Sequence, residues 1–203
     1  LPVRLLGDIA GASALDLCAA PGGKTMQLAA AGAVTRAIDI SPTRLSRVEE
    51  NLRRTQLQAQ LEAQDAFEHG GESYDIVLLD APCSATGTIR RHPDLPYAKD
   101  GSDFFELIEL QGRMIDHAIS LLNPGGRLVF CTCSLLPDEG ECQIEEALKR
   151  HSGLKIDHSA LETDIVDSQM KAAPEGLRLR PDMLSDKGGL DGFFISILRW
   201  DGQ

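Results

Sequence analysis

The chain has 203 residues, 42% of them apolar, and a formal net charge of −11. That length fits one domain with a single core. No apolar run approaches the ~20 residues that span a bilayer, and no signal-like leader opens the sequence, so we expect a cytoplasmic protein that does not enter a membrane. The acidic balance argues against nucleic-acid binding through bulk positive charge, although a local basic surface stays compatible with it.

Short apolar runs alternate with longer helical patterns, which predicts parallel βαβ units. The first strand is predicted from Ala14 to Cys18, and it ends in a turn from Ala19 to Gly23. Lys24 to Ala31 is predicted as a helix and Val34 to Asp39 as the second strand. The chain therefore begins with a strand, a glycine-containing turn and a helix.

The next helix has a clear start signal, because Ser41 offers a capping hydroxyl and Pro42 stands at the first helical position. Leu61 to Ala63 is predicted as a short third strand. Tyr74 to Leu79 is predicted as a fourth strand, apolar enough to be buried on both faces. A loop is then expected from Asp80 to about Gly101.

Two further helices and two further strands are predicted in the second half. The expected elements are a long amphipathic helix over Phe104 to Leu122, a stop at Asn123 to Gly126, a strand over Arg127 to Cys131, a helix over Pro137 to Lys149 and a last strand over Phe193 to Leu198. The stretch 157–189 is polar and weakly patterned. Together these elements predict an α/β fold with a mostly parallel sheet.

The turn after the first strand is a candidate ligand site, because ligands of open α/β sheets bind outside the carboxyl ends of strands. Two adjacent glycines, Gly22 and Gly23, permit a close backbone approach, and the following helix N-terminus suits a carboxylate. A P-loop would need glycine where Cys18 stands, and the G-x-G-x-x-G spacing is absent. The remaining interpretation is a turn that binds an adenosyl group and its amino-acid tail.

Two acids follow predicted strands. Asp39 ends the second strand, where a carboxylate accepts hydrogen bonds from ribose hydroxyls; a solvated helix cap is the alternative. Asp65 follows the third strand and is a candidate acceptor for an adenine amino group, although an ordinary loop acid is the simpler interpretation.

Two cysteine motifs end neighbouring strands, in Asp80-Ala-Pro-Cys-Ser84 and Thr132-Cys-Ser134. A thiolate that adds to carbon 6 of cytosine makes carbon 5 nucleophilic, which is covalent catalysis, and Asp80 is the nearest candidate to hydrogen-bond ring N3. The residues alone do not choose between the two cysteines. Buried structural thiols are the alternative for each.

The other three cysteines, Cys18, Cys131 and Cys142, need no role beyond that of small buried apolar residues. The odd count argues against a disulfide framework. Because Cys131-x-Cys133 is not a zinc-knuckle spacing and no matching pair follows, we expect no metal site.

These motifs resemble those of the RsmB/Sun/NSUN group of RNA cytosine-5 methyltransferases. The matching segments are Leu15 to Thr25, Asp80 to Gly87, Arg90 to Asp94, Thr132 to Ser134 and Asp191 to Phe194, and they span nearly the whole chain. The resemblance implies a Rossmann-like class I methyltransferase fold, with a mostly parallel seven-stranded sheet and helices on both faces. It also implies S-adenosyl-L-methionine as the cofactor and carbon 5 of cytosine in RNA as the methyl acceptor.

The resemblance further implies residue roles. Cys133 matches the nucleophile that attacks carbon 6, and Cys83 matches the second cysteine, which assists product release. Asp80 and Lys24 complete the catalytic set, with Lys24 facing the reacting base. The implied cofactor contacts are Cys18, Ala19, Ala20, Pro21, Gly22, Gly23, Lys24, Asp39, Arg44, Asp65 and Asp80.

RNA contacts are predicted at Arg90, Arg91 and His92, just after the Pro-Cys-Ser motif, where a flipped-out base and its phosphate would lie. A solvated loop is the alternative. Family members usually carry a separate N-terminal RNA-binding region. Since the first residue is not Met and the first motif comes early, we expect a piece of a longer protein. The resemblance implies that residues 1–203 are its catalytic domain, and we expect a monomer.

Three other functions stay open. Ribosomal RNA is the expected substrate if the bacterial members are the nearest relatives, and transfer RNA is the alternative. A DNA cytosine-5 methyltransferase would use Cys83, in its Pro-Cys motif, as the nucleophile. A non-catalytic assembly factor would not need both cysteines and Asp80, so their presence counts against it.

Overall fold

The computed structural model describes residues 1–98, 100–167, 170 and 172–202. Within these residues the strands are β1 (Ser13–Asp16), β2 (Val34–Asp39), β3 (Gln60–Ala63), β4 (Tyr74–Asp80), β5 (Leu122–Thr132), β6 (Leu154–Ile156), β7 (Ala172–Ala173), β8 (Gly176–Leu179) and β9 (Phe193–Trp200). The α helices are α1 (Gly23–Ala30), α2 (Pro42–Thr55), α3 (Leu95–Ala98), α4 (Phe104–Ser120), α5 (Glu141–Arg150) and α6 (His158–Leu161).

All these strands belong to one sheet, with the order β3-β2-β1-β4-β5-β9-β8-β7. The first five strands pair in parallel, and β9 runs antiparallel to β5. The outer edge of β9 carries two strands in tandem, because β6 pairs its C-terminal half and β8 pairs its N-terminal half. This arrangement brings the carboxyl ends of β1, β2, β4 and β5 to one edge of the sheet.

The described residues contain nine strands, whereas seven were expected. Three of the nine were not predicted individually: β6, with three residues, and β7 and β8, which form a hairpin in the weakly patterned stretch before β9. Strands this short give almost no alternating pattern. They are held by pairing instead, since β6 and β8 pair with β9 and β7 pairs with β8. The difference lies at one margin of the sheet and leaves the parallel half as predicted.

Helices cover both faces of the sheet, as expected. Along β4, Ile76 and Leu78 pack into a core shared with α1 and α6, whereas Val77 and Leu79 pack into a core shared with α4 and α5. The prediction that β4 is buried on both faces is therefore confirmed. Among the residues described, no helix is both long and apolar enough to cross a membrane.

The start of α2 lies where its local sequence signals predict it, whereas the end of α4 does not. The Ser41 side chain accepts a hydrogen bond from the amide of Arg44, and Pro42 opens α2, as predicted. Residues 123–126 were expected to end the long helix, but α4 already ends at Ser120, and those residues belong to β5. They sit at an irregular register between the Tyr74–Leu122 and Ile76–Arg127 pairs.

The helix predicted over Pro137 to Lys149 is divided in two. A 3-10 turn spans Pro137–Glu139, and α5 begins at Glu141. Gly140 lies at the break, where an added Cβ would overlap the Arg178 guanidinium and come within 2.9 Å of the Phe194 ring. This close approach lets the turn pack against the sheet, and it directs Glu139 inward.

Candidate active site

The turn after β1 lies at the carboxyl edge of the sheet. Gly22 has φ 100°, and an added Cβ would come within 2.9 Å of Val48 Cγ1 on α2. Glycine is therefore required there both for the backbone conformation and for the close approach. Gly23 and Lys24 then begin α1.

Two neighbouring cavities open beside this turn. The first, here called the cysteine cavity, has a volume of about 400 Å³, and the predicted residues that line it are Cys18, Ala20, Asp39, Arg44, Asp65, Asp80, Cys83 and Cys133. The second, here called the lysine cavity, has a volume of about 480 Å³, and the predicted residues that line it are Cys18, Ala19, Ala20, Pro21, Gly23, Lys24 and Asp80. The two cavities share Cys18, Ala20 and Asp80.

Asp39 links β2 to the turn. Its carboxylate accepts hydrogen bonds from the Ala20 amide at 3.1 Å and the Ser41 amide at 3.0 Å. Arg44 lies 3.6 Å from Asp39 and also donates to the Ala20 carbonyl at 3.0 Å. Two carboxylate oxygens offer about four acceptor positions, so Asp39 retains capacity for a ligand hydroxyl at the cavity wall.

Asp65 lies two residues beyond the end of β3. Its carboxylate accepts a hydrogen bond from the Phe67 amide at 2.9 Å and so caps the short 3-10 helix Ala66–Glu68. This is the local role that the simpler interpretation expected. The side chain also lines the cysteine cavity, so a second acceptor role stays a prediction.

Lys24 and Asp80 form an ion pair between the two cavities. Lys24 Nζ lies 2.5 Å from Asp80 Oδ2 and 5.3 Å from the centre of the Phe193 ring. Burial pulls down the pKa of Lys24, but neighbouring groups, among them the Asp80 carboxylate that accepts its hydrogen bond, raise that pKa above its ordinary value. Lys24 is therefore a cation at neutral pH, and the second Asp80 oxygen accepts from the Cys131 thiol at 3.4 Å.

Cys83 and Cys133 meet at the wall of the cysteine cavity. Their sulfur atoms lie 3.4 Å apart, and both side chains are half-buried, free thiols. The hydrogen bond from Cys83 is the main cause that lowers the pKa of Cys133, against the opposing effects of burial and Asp80. The same bond, with burial, raises the pKa of Cys83. Cys133 is thus the more readily ionised thiol of the pair.

The other three cysteines were expected to be small buried residues, but only one of them is fully buried. Cys131 is fully buried on β5, and burial raises its pKa, while Cys18 is half-buried in the turn. The expectation for Cys142 was wrong, because its side chain is exposed on α5. The face of α5 that packs against the core carries Gln143, Ile144 and Ala147, and Cys142 lies off that face. No group of three metal-ligating side chains occurs in the described part of the chain.

Main-chain hydrogen bonds tie the two cysteine loops together. The Gly87 amide donates to the Cys133 carbonyl at 2.9 Å, and the Gly192 amide donates to the Gly87 carbonyl at 2.7 Å. A Cβ at Gly87 would overlap the Gly192 carbonyl. The loop that carries Cys83 is therefore held directly between the loop that carries Cys133 and the start of β9.

The three residues predicted to contact RNA follow this loop. Arg90 donates to the Gly188 carbonyl at 2.7 Å, and Arg91 pairs with Asp191 at 2.6 Å. His92 is exposed. Both arginines thus join the loop to the segment before β9, a structural role that sequence reasoning missed. Their contact with RNA stays a prediction.

Two buried acids beside the site were also missed. Asp16 in β1 is 1% exposed and accepts a hydrogen bond from Thr25 at 2.7 Å, whereas its Oδ1 has no hydrogen-bond partner among the described residues. A charged residue inside an apolar strand was the available signal. Glu139 is fully buried next to the cysteine loops, and its polar, helix-start context gave no such signal.

Asp16 makes the stability of the fold depend on pH. Burial raises the pKa of Asp16 to about 7 from an ordinary 3.8. A carboxyl whose pKa rises on folding stabilises the fold only while it is protonated, so this contribution declines as the pH rises from 4 through 7. We expect the wild type to lose about 2 to 3 kcal/mol more than Asp16→Asn between pH 5 and pH 8.

Urea unfolding at both pH values measures this difference. Asp103→Asn is a matched control, because Asp103 is exposed and its side chain caps no helix amide. The control should follow the wild type at both pH values. Equal pH dependence of the wild type and Asp16→Asn would contradict the prediction.

Known proteins match the chain over almost its whole length. The family model described as 16S rRNA methyltransferase RsmB/F matches residues 5–199. Proteins named ribosomal RNA small subunit methyltransferase B from Erwinia tasmaniensis and Photorhabdus laumondii are 40% and 41% identical, over 97% of this chain and 44% of each relative. The chain therefore spans less than half the length of these relatives. The structure of NSun6 from Pyrococcus horikoshii with SFG matches with a TM-score of 0.84 and 29% identity, over 100% of this chain and 51% of that chain.

The sheet order, the turn after β1 and these likenesses place the chain in the class of Rossmann-like, S-adenosylmethionine-dependent methyltransferases, which confirms the predicted fold class and cofactor. Within that class, the chain belongs to the RsmB/F family of 16S rRNA methyltransferases, and the predicted resemblance is confirmed.

Proposed function

We propose that the chain is the catalytic domain of a longer protein that methylates carbon 5 of cytosine in RNA through a covalent bond between Cys133 and carbon 6. The observation that carries the proposal is the pair of cysteine sulfurs 3.4 Å apart, in a cavity that Asp39, Asp65 and Asp80 also line. Ribosomal RNA is the proposed substrate, because the curated relatives are named for the small ribosomal subunit.

The residues of the cysteine cavity fit S-adenosylmethionine. A volume of about 400 Å³ lies within the ~300–1,000 Å³ usual for small-molecule sites. Asp39 would accept from the ribose hydroxyls and Asp65 from the adenine amino group, while the turn and the start of α1 suit the amino-acid tail. The bound cofactor supplies an electrophilic methyl group on a sulfonium.

Cys133 is the proposed nucleophile. As a thiolate it would form a bond to carbon 6, while Asp80 and its partner Lys24 hydrogen-bond the polar edge of the ring around N3 and stabilise the added electron density. Carbon 5 then accepts the methyl group and loses its proton to a base, and the bond between carbon 6 and sulfur breaks to restore the thiolate. Cys83, already hydrogen-bonded to Cys133, would donate to the departing sulfur.

Which of the two thiols ionises more readily also bears on the alternative functions. A DNA cytosine-5 methyltransferase would need Cys83 as the thiolate, yet the hydrogen bond and burial raise the pKa of Cys83 and the same bond lowers that of Cys133. This supports the RNA enzyme. Transfer RNA requires the same chemistry, so it is separated from ribosomal RNA only by a substrate test.

The full-length protein, incubated with methyl-tritiated S-adenosylmethionine, is expected to label small-subunit ribosomal RNA made by transcription. Nuclease digestion should place the label in 5-methylcytidine. Parallel reactions contain transfer RNA transcripts and DNA of the ribosomal sequence. Label in transfer RNA alone would change the assigned substrate to transfer RNA and leave the proposed reaction unchanged. Label in DNA or in another nucleoside would overturn the proposal.

A further inference from the structure

Glu139 lies between the two cysteine loops. Its side chain is fully buried, and three donors converge on its two oxygens: the Ser84 amide at 2.8 Å, the Ser84 hydroxyl and the Gln111 side-chain amide at 3.0 Å. Its carbonyl also accepts from the Thr132 hydroxyl at 2.9 Å. One residue therefore holds both the neighbour after Cys83 and the neighbour before Cys133.

The loops have other connections that do not involve this carboxylate. The Ser84 and Ser134 hydroxyls lie 3.2 Å apart, and the Thr86 hydroxyl lies 3.2 Å from that of Ser134 and accepts from the Leu135 amide at 2.9 Å. The bond from the Gly87 amide to the Cys133 carbonyl adds to them. Removing the charge of Glu139 should therefore leave the loops assembled.

The charges around the cysteine pair are unequal. In the described part of the chain no ion pair involves Glu139, so its carboxylate is satisfied by neutral donors alone. Its charge disfavours a thiolate at Cys83, although the hydrogen bond to Cys133 and burial contribute more to the raised pKa of Cys83. The pKa of Cys133 is lowered mainly by its hydrogen bond with Cys83; of the nearby charges, Asp80 raises that pKa by more than Lys24 lowers it, and Glu139 is not among its causes.

We propose that Glu139 is a positioning residue that fixes the two cysteine loops and keeps Cys83 as the protonated partner, so that Cys133 is the thiolate. The proposal deepens the proposed function and rests on it for its catalytic meaning. Glu139 touches no reacting atom; it acts through the loop of Cys83. A purely structural role would need only the shape and the hydrogen-bonding capacity of the side chain.

Glu139→Gln separates charge from shape, because glutamine keeps the size and one acceptor oxygen, and the Ser84 hydroxyl is able to accept as well as donate. Alkylation of each cysteine by iodoacetamide, followed by peptide mass spectrometry from pH 6 to pH 10, measures the thiolate order without RNA or cofactor. In the wild type we expect Cys133 to react before Cys83. In Glu139→Gln the preference should fall by roughly three- to tenfold, equal to half to one unit of pKa.

Exposed Cys142 serves as an internal reference for the reagent in every sample. Glu145→Gln, the same substitution at an exposed position of α5, is the matched control and should keep the wild-type preference. Glu139→Asp keeps the charge, shortens the side chain and should also keep the preference, although methylation falls. If Glu139→Gln does not fold, Glu139→Asp decides alone: it should keep the wild-type order while methylation falls, and a lost or reversed order overturns the proposal.

If folded Glu139→Gln kept the wild-type preference of iodoacetamide for Cys133 over Cys83, the proposed role of the Glu139 charge would be wrong. That result is distinguishable from failure of the proposed function, because alkylation requires no methyl transfer. Conversely, label in DNA or in another nucleoside would remove the proposed reaction while the alkylation order still reported on the thiol pair.

Discussion

Replacing Cys133 with alanine is expected to reduce methyl transfer by roughly 10⁴-fold or more, because without the thiolate carbon 5 of cytosine is too weak a nucleophile to take the methyl group. Cofactor affinity should change by less than about twofold, since no predicted cofactor contact is lost. Single-turnover transfer of labelled methyl to RNA measures the first quantity, and calorimetric titration with S-adenosylmethionine measures the second.

Cys142→Ala is the matched control, because it removes an exposed thiol from α5 without altering either cavity. It should retain wild-type transfer. If Cys133→Ala kept more than about a tenth of the wild-type rate, the enzyme would not depend on this thiolate, and the covalent mechanism would be wrong.

Replacing Cys83 with alanine is expected to trap the protein on its RNA. The bond between sulfur and carbon 6 should still form, but its cleavage loses the thiol that lies 3.4 Å from the departing sulfur. Since the hydrogen bond from Cys83 also lowers the pKa of Cys133, the adduct should form more slowly near pH 7 than near pH 9. A shifted band on a denaturing gel with labelled RNA measures it.

The double variant Cys83→Ala, Cys133→Ala separates covalent trapping from tight binding, because it should give no band that survives denaturation. Free RNA and repeated turnover with Cys83→Ala would show that release does not use this thiol. A band that persisted in the double variant would place the attachment at another residue.

The parallel half of the fold could be predicted from the sequence because its signals are local. The bounds of β2 coincide with the prediction, and β4 was recognised by an apolar run long enough to be buried on both faces. The hairpin of β7 and β8 gave no comparable signal, because it is held by pairing to β9. Its strands are therefore defined by tertiary contacts rather than by their own composition.

The candidate site likewise combines residues that local signals predicted with residues whose positions depend on tertiary contacts. The turn after β1, Asp39, Asp80 and both cysteines follow predicted strands, so their shared edge could be inferred; their catalytic and binding roles stay predictions. The burial of Glu139 could not be inferred, because its partners Ser84 and Gln111 lie 55 and 28 residues away in sequence. Likewise, the partners of Arg90 and Arg91 lie about a hundred residues further along the chain.

The main-chain bonds that connect Cys133, Gly87 and Gly192 have a consequence for how such a site tolerates evolutionary change. Because peptide groups make these bonds, we expect substitutions elsewhere in the two loops to leave the backbone of Cys133 anchored. The constraint falls on the two glycines, since a methyl group at either position would collide with the facing loop. We expect the other side chains of the two loops to tolerate substitution around this backbone frame.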